Sequence, residues 1–448
     1  MGLFEPGDGK LRGQILRFTW PVILTNLLQT LTVTVNLVMV GRLGPEEVAG
    51  VGLASQIVFF AYSVMIAVSA GTIALIARYT GAKQFDKSGG VLRQSLILAV
   101  LLSIPIMLMG WFMSEQMMWV FGAEPAVQSV GAVYVKYIFM FAPFSFMEFI
   151  FSAALRGAGD MKTPLYVAVL NNVVNVVVGQ LLIFGHFGFP EMGVMGASLA
   201  NVAAFTAGTC SFFVLLARKK FPFKMPRGKG LFDREATRRV LRIGWPSALE
   251  QFVIQAGFLV FTAIIVYFGT TALAAHNIGQ RVQSLAFMPG MGLSVAATAL
   301  VGYNLGTGEP KKAEECGWES TKLAILMMCA VAAFMFVFAE QMAWIFIDDQ
   351  PTVQLASIWI RLQAISMPAV GIHFTLSGAL RGAGDTRWPL VASAIGIYAV
   401  RLPLSVFIGI YLGIGIMGAW LAFIIEYYVR SVVILWRFRR GSWKTIKV

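Results

Sequence analysis

Charge is what this sequence has least of. Asp, Glu, Lys and Arg make up 13% of its 448 residues, about half the ~25% of ordinary soluble domains. So few polar side chains cannot cover the surface of a water-soluble protein this long, which excludes a soluble enzyme, and a disordered chain needs the opposite composition. Cysteine is nearly missing too. Cys210, Cys316 and Cys329 are odd in number and form no Cys-x-x-Cys pair, so neither a disulfide framework nor a zinc site is implied. Aspartate is absent from every long apolar run: Asp8, Asp86, Asp160, Asp233, Asp348, Asp349 and Asp385 all fall between runs or near the start. What is present is apolar bulk, 58% of the residues, with a mean hydropathy of +0.74. An all-α, polytopic membrane protein remains.

Twelve apolar stretches are long enough to cross a ~30 Å hydrocarbon core. They lie near 15–40, 48–77, 94–113, 131–155, 163–185, 193–217, 243–267, 275–302, 323–345, 354–380, 388–410 and 413–436. The first is too long for a signal-peptide core and reads as a retained span. With both termini cytoplasmic, the inner segments, counting Arg17 at the cytoplasmic end of the first span, hold 29 of the 35 Lys and Arg, and the outer loops hold Arg42 alone. Lys136, Arg281, Arg361, Arg401 and Arg430 lie within spans. The formal charge of +13 is therefore topology, concentrated in cytoplasmic loops, and implies no nucleic-acid partner. In a bacterial cell this predicts a multi-pass protein of the inner membrane.

The chain also repeats itself. Ala154-Leu155-Arg156-Gly157-Ala158-Gly159-Asp160 recurs 225 residues later as Ala379-Leu380-Arg381-Gly382-Ala383-Gly384-Asp385. The same offset pairs Trp20-Pro21 with Trp245-Pro246, Glu115-Gln116 with Glu340-Gln341, and Pro143 with Pro368. Two six-helix lobes follow, 1–217 and 243–448, joined by a basic cytoplasmic linker, 218–242. An even number of spans per copy relates the lobes by a pseudo-two-fold axis along the membrane normal. Parallel repeats of this kind are a transporter architecture, with substrate expected between the halves near mid-bilayer. Pro21, Pro143, Pro246 and Pro368 sit inside matched spans, where each removes a backbone donor. They are hinge candidates for rocking, or else static kinks.

Ionisable groups in a bilayer are functional candidates. Glu148, Glu250 and Glu426 lie in spans, and Glu340 lies near the outer end of the ninth. Glu426 has Arg430 one turn on, which suggests a neutralised structural pair. Glu148 is placed near the cytoplasmic end of its span and reads as structural or gating. Glu250 lies eight residues past Arg242, about 12 Å into the membrane, with no basic residue one turn away. It can bind and release H+, or exchange H+ for Na+, and is the candidate ion-coupling carboxyl. The rival is a buried structural hydrogen bond. Polar stripes accompany it: Gln29, Thr32 and Asn36; Asn171, Asn172 and Asn175; Gln251 and Gln255; His276, Asn277, Gln280 and Ser284. Three neighbouring Asn exceed what helix packing needs and suggest cavity lining. His276, at the start of its span, reads as an ordinary solvated histidine. Met288 and Met291, flanking Pro289-Gly290, are a candidate for pliable substrate contact.

Taken together the pattern resembles the multidrug and toxic compound extrusion (MATE) family of secondary transporters. Val40-Gly41-Arg42-Leu43-Gly44, the two Leu-Arg-Gly-Ala-Gly-Asp turns, Leu182-Ile183-Phe184-Gly185, and Trp245-Pro246 with Glu250 carry the resemblance over nearly the whole chain. It implies a twelve-helix, two-lobed fold and export of amphipathic organic cations or drugs against inward H+ or Na+. The partners would be a small-molecule substrate and the lipid bilayer, the transporter a monomer without a cofactor. The chain departs from the family where many relatives carry Asp: here stand Asn36 and, for one branch, Gly179. Glu250 matches the seventh-span Glu of the NorM-like branch, and Asn175 the family's fifth-span Asn. Val370 stands where that branch has a tenth-span Asp.

Two other readings compete. A lipid-linked or polysaccharide flippase of the same wider superfamily would line its cavity with Arg, whereas most intramembrane basic residues here sit towards one end of a span. The Gly-x-Gly-Asp runs at 157–160 and 382–385 resemble an intramembrane aspartyl protease motif. That chemistry needs two facing Asp inside the membrane, and these two lie in cytoplasmic turns beside Arg156 and Arg381. Glycine-terminated helices with a local Arg–Asp pair are the simpler expectation, and the chain is read as no enzyme.

Overall fold

The computed structural model describes residues 11–223 and 232–446; the middle of the basic linker, 224–231, lies outside them. Among the described residues there are helices and no strands. Eleven helices, or twelve counting one bent pair, are long and apolar enough to cross a membrane. In chain order the main ones are α1 (Leu11–Gly41), α2 (Pro45–Gly81), α3 (Phe85–Trp119), α4 (Pro125–Met140), α5 (Ala142–Gly157), α6 (Lys162–Phe184) and α7 (Gly193–Ala217). There follow α8 (Arg234–Val266), α9 (Thr270–Ala286), α10 (Met288–Gly306), α11 (Pro310–Val337), the short α12 (Ala339–Trp344), α13 (Gln350–Gly382), α14 (Arg387–Tyr411) and α15 (Ile416–Arg440).

The helices group into two compact units. One is Leu24–Gly244; the other is Trp245–Val448 together with residues 11–23. This division differs from the expected one at 217 and 243. It cuts α1 and α8 beside Pro21 and Pro246, so the leading part of each helix groups with the half of the chain that does not contain its remainder. In the first unit, Gly71 and Gly244 explain the grouping. A Cβ on Gly244 would lie 2.1 Å from the Ala67 carbonyl oxygen, and one on Gly71 would lie 2.3 Å from that of Val240. Backbone meets backbone where α2 crosses the start of α8, an approach open only to glycine. In the second unit, Gly292 of α10 makes room for side chains instead: a Cβ there would lie 2.7 Å from Ile23 Cγ1 and 3.2 Å from Thr19 Cγ2.

The repeated Leu-Arg-Gly-Ala-Gly-Asp turn assigns a task to each residue. Its first glycine permits close packing: a Cβ on Gly157 would sit 2.8 Å from the Ile73 oxygen, and one on Gly382 2.2 Å from that of Thr298. Its second glycine, Gly159 or Gly384, takes φ +86°. That left-handed residue ends the helix, and the Asp160 and Asp385 amides donate back to Leu155 and Leu380 at 2.9 and 2.8 Å. The expected local Arg–Asp pair does not form, because both side chains find partners on other elements. Asp160 turns forward and accepts from the Lys162 and Thr163 amides at 3.1 and 3.0 Å, capping α6. Asp385 pairs with Arg437 at 2.7 Å, and burial raises its carboxyl above the ordinary range even so. Asp160→Ala should lower stability by about 1 kcal/mol, read as an earlier melt in detergent.

Matched spans break differently. The expected span 131–155 is two helices, α4 and α5, bent by 57° at Phe141, with Pro143 in the first turn of α5. Its mate α13 runs unbroken through Pro368. Tyr428 donates to the Ile365 carbonyl at 3.0 Å and Ser431 to that of Ala369 at 2.6 Å, so hydroxyls from α15 serve backbone groups beside the proline. Conversely α2 is continuous, whereas α9 and α10 part at Phe287. The regular α6 has as its mate α14, which is wound wider, with i→i+5 turns at Ile395–Arg401 and Ser405–Tyr411.

Candidate functional site

Glu250 lies inside the second unit, 1% exposed, and it is not alone. Its Oε2 accepts from Arg381 Nη2 at 2.7 Å, and its Oε1 accepts from Ser393 at 3.3 Å. Three elements meet on one carboxylate: α8, the last turn of α13 and the first turns of α14. The glycine turn that ends α13 places Arg381 here, where a cation also faces the negative end of the helix dipole. Gln251 and Gln255 are half-buried on the same helix. Looking one turn along α8 finds no counter-ion, because the counter-ion comes from 131 residues away.

The same unit holds a second charge cluster. Glu426 pairs with both Arg401 and Arg430, the latter at 2.8 Å. The guanidinium of Arg401 lies over Phe261 and Phe423, and that of Arg430 lies over Tyr427. All three charged groups are buried, leaving one net positive charge inside the unit. The sequence pair Glu426–Arg430 is present, with Arg401 as an unforeseen third member.

The first unit instead holds uncharged amides. Asn201 Oδ1 accepts from Asn36 at 3.1 Å and from Asn175 at 3.3 Å, while its Nδ2 donates to Tyr134 at 3.4 Å. The Oδ1 atoms of Asn36 and Asn175 are buried without hydrogen-bond partners. The three Asn of α6 thus part company: Asn175 joins this cluster, Asn172 accepts from Thr32 at 2.7 Å, and Asn171 donates to Glu148 at 2.7 Å.

Other expected residues are scattered. Gln29 and Asn277 are exposed. Met288 is buried at the start of α10, whereas Met291 is 47% exposed. His276 is buried rather than solvated. It stacks on Trp359 at 5.6 Å, meets Phe261 edge-on at 5.5 Å, and lies 2.8 Å from Gln280. The helix starts at Thr270, about 9 Å before it. Glu148 is nine residues from the end of α5, about 13 Å, and so is deeper than the end-of-span position expected from the sequence.

The sequence profile of the family described as MatE matches residues 21–181 and again 246–407. The chain belongs to the MatE family. A curated relative from Thermotoga maritima, named a probable multidrug resistance protein NorM, is 32% identical over 440 residues, covering 97% of this chain and 94% of that one. Among solved structures, MATE in a bent conformation superposes with a TM-score of 0.90 at 23% identity, covering 97% and 96% of the two chains. A superfamily transporter from Pyrococcus furiosus, described as having a binding pocket of reversed polarity, gives 0.91 at 22% identity and 100% and 98% coverage. MatE proteins are transporters, so the Gly-x-Gly-Asp turns belong to no protease.

Within this MatE chain the departures noted in the sequence have a structural form. Asn36 is tied to Asn175 through Asn201, three amides and no carboxyl. Val370 is buried between Ala369 and Gly371 in α13. The sequence reading missed Asn201, Arg381 and Ser393. A polar residue on α7 gave a signal for the first; for the others only their partners do.

Proposed function

We propose that this MatE protein is a secondary antiporter of the bacterial inner membrane, with both termini cytoplasmic. It exports amphipathic organic cations or drugs in exchange for inward H+ or Na+. Glu250 is its main coupling carboxyl. The observation that carries this reading is the Glu250–Arg381 pair, a buried carboxylate held by one cation that is itself 23% exposed. Such a pair has two states. Neutralising Glu250 releases the guanidinium towards water, which loosens α8 from the end of α13. Ionising it closes the pair again. Each net positive charge carried inward per cycle supplies ~2.3 kcal/mol per 100 mV. The basic loops support the orientation, and the drug-resistance name of the Thermotoga relative supports the substrate class.

Glu250→Gln, reconstituted in proteoliposomes with an imposed pH or Na+ gradient, should lose gradient-driven substrate accumulation. Passive equilibration should remain. Undiminished coupled transport at normal protein levels would remove Glu250 from this role.

A further inference from the structure

The first unit carries a carboxyl without a counter-ion, and its surroundings fit one protonation state only. Glu148 Oε1 accepts from Asn171 Nδ2 at 2.7 Å. The other oxygen of each group, Glu148 Oε2 and Asn171 Oδ1, is buried with no partner. Both press against one point on α7: a Cβ on Gly208 would lie 2.4 Å from the first and 2.6 Å from the second. Two bare acceptors thus flank one spot, against a glycine that has no side chain to offer either a donor. Ionised, the carboxylate leaves both acceptors unsatisfied, at a cost of about 1–3 kcal/mol each. A single proton on Oε2 changes this. It donates to Asn171 Oδ1, and the acid and the amide then close a ring of two hydrogen bonds that satisfies all four atoms.

Nothing nearby neutralises Glu148 in another way. No ion pair among the described residues includes it. From α2 Tyr62 comes close enough to feel its charge, and Tyr134 of α4 lies near Tyr62 in turn. The charged groups of α3, Asp86, Lys87, Arg93 and Glu115, lie towards its two ends. On α5 itself Arg156 is eight residues on, about 12 Å. From α7 come Gly208 and, exposed on another face, Cys210.

The second repeat shows what another solution looks like. Gly193-Val194-Met195-Gly196-Ala197 aligns with Gly415-Ile416-Met417-Gly418-Ala419, an offset of 222, which pairs Gly208 with Arg430. The earlier offset pairs Glu148 with His373 and Asn171 with Gly396. Arg430 lies against Gly396, its Cγ 2.6 Å from where a Cβ would be. One repeat fills this place with a guanidinium. The other leaves it to an acid, an amide and a glycine.

The structure assigns to Glu148, with Asn171, a proton-binding site of the first unit, in which protonation closes an acid–amide ring and ionisation opens two acceptors to a cationic substrate. This rests on the antiport reading for its use in transport, though the proton site itself does not depend on Glu250. Binding of proton and of substrate cation at this place is then mutually exclusive.

The test uses the full chain purified in detergent. Infrared difference spectra on acidification should show the carbonyl stretch of a buried carboxylic acid. Glu148→Gln should abolish it, and Glu250→Gln should leave it. Asn171→Leu, which keeps the carboxyl but removes the ring, should shift the band. Tetraphenylphosphonium affinity should fall towards tenfold per pH unit as Glu148 takes up its proton, and should be flat with pH in Glu148→Gln. That variant retains an amide–amide ring and should melt no lower than wild type. A band that survives Glu148→Gln overturns the proposal. So does one removed by Na+ at constant pH, or, should Glu148→Gln not fold, one unmoved by Asn171→Leu. Absence of tetraphenylphosphonium binding at any pH would sink the export reading instead, and the infrared band would then decide the proton site by itself.

Discussion

Replacing Glu426 by Gln is expected to destabilise the protein by about 3–5 kcal/mol. The carboxylate sits between the guanidiniums of Arg401 and Arg430, and all three are buried among Phe261, Phe423 and Tyr427. Glutamine keeps the shape but not the charge. Two like charges would remain in an apolar setting with the aromatic faces as their main compensation, and cation–π contact contributes only ~1–2 kcal/mol per pair. Thermal unfolding of the detergent-solubilised protein should begin far earlier, and folded yield should drop. A triple variant, Arg401→Met with Glu426→Leu and Arg430→Met, should recover most of the loss, since removing all the buried charges together avoids the penalty of leaving some unpaired. If Glu426→Gln melts like wild type, the cluster does not hold the unit together.

Gly244→Leu should have a still larger effect. Its neighbour is not a movable side chain but the Ala67 carbonyl, 2.1 Å from where the new Cβ must go. Overpacking usually costs about 1–3 kcal/mol because side chains yield. Here two helix axes must separate, and the companion approach of Gly71 to Val240 is lost with them. Little monodisperse protein should elute in size-exclusion chromatography. Gly52→Leu is the control: a Cβ there meets nothing within 4 Å, so its elution should match wild type.

Hydropathy and self-similarity made the architecture readable, since span length and span number follow from bilayer thickness and the repeat follows from identity of residues. The Glu426–Arg430 pair was readable because one helical turn is a local distance. Arg381 was not readable as the partner of Glu250, because side chains far apart in sequence meet through helix packing that no local period encodes. The bend at Phe141 escaped for a related reason. Pro143 and Pro368 are matched in sequence, yet only one span breaks; beside the unbroken one, Tyr428 and Ser431 of a neighbouring helix donate to the Ile365 and Ala369 carbonyls, contacts that no local pattern encodes. Glu148 was underrated because its depth was judged from a span boundary, whereas its chemistry lies in what Asn171 and Gly208 leave unsatisfied.

The affiliation of residues 11–23 with Trp245–Val448 bears on how the chain is made. Thr19 and Ile23 emerge from the ribosome first, yet Gly292, the residue they lie against, is translated about 270 positions later. At ~5–20 residues per second, the opening segment waits roughly 15–50 s for its seat. During that interval it must be kept in the bilayer by insertion machinery or lipid alone, so an arrest of translation between Gly244 and Gly292 strands it with all of Leu24–Gly244 already synthesised.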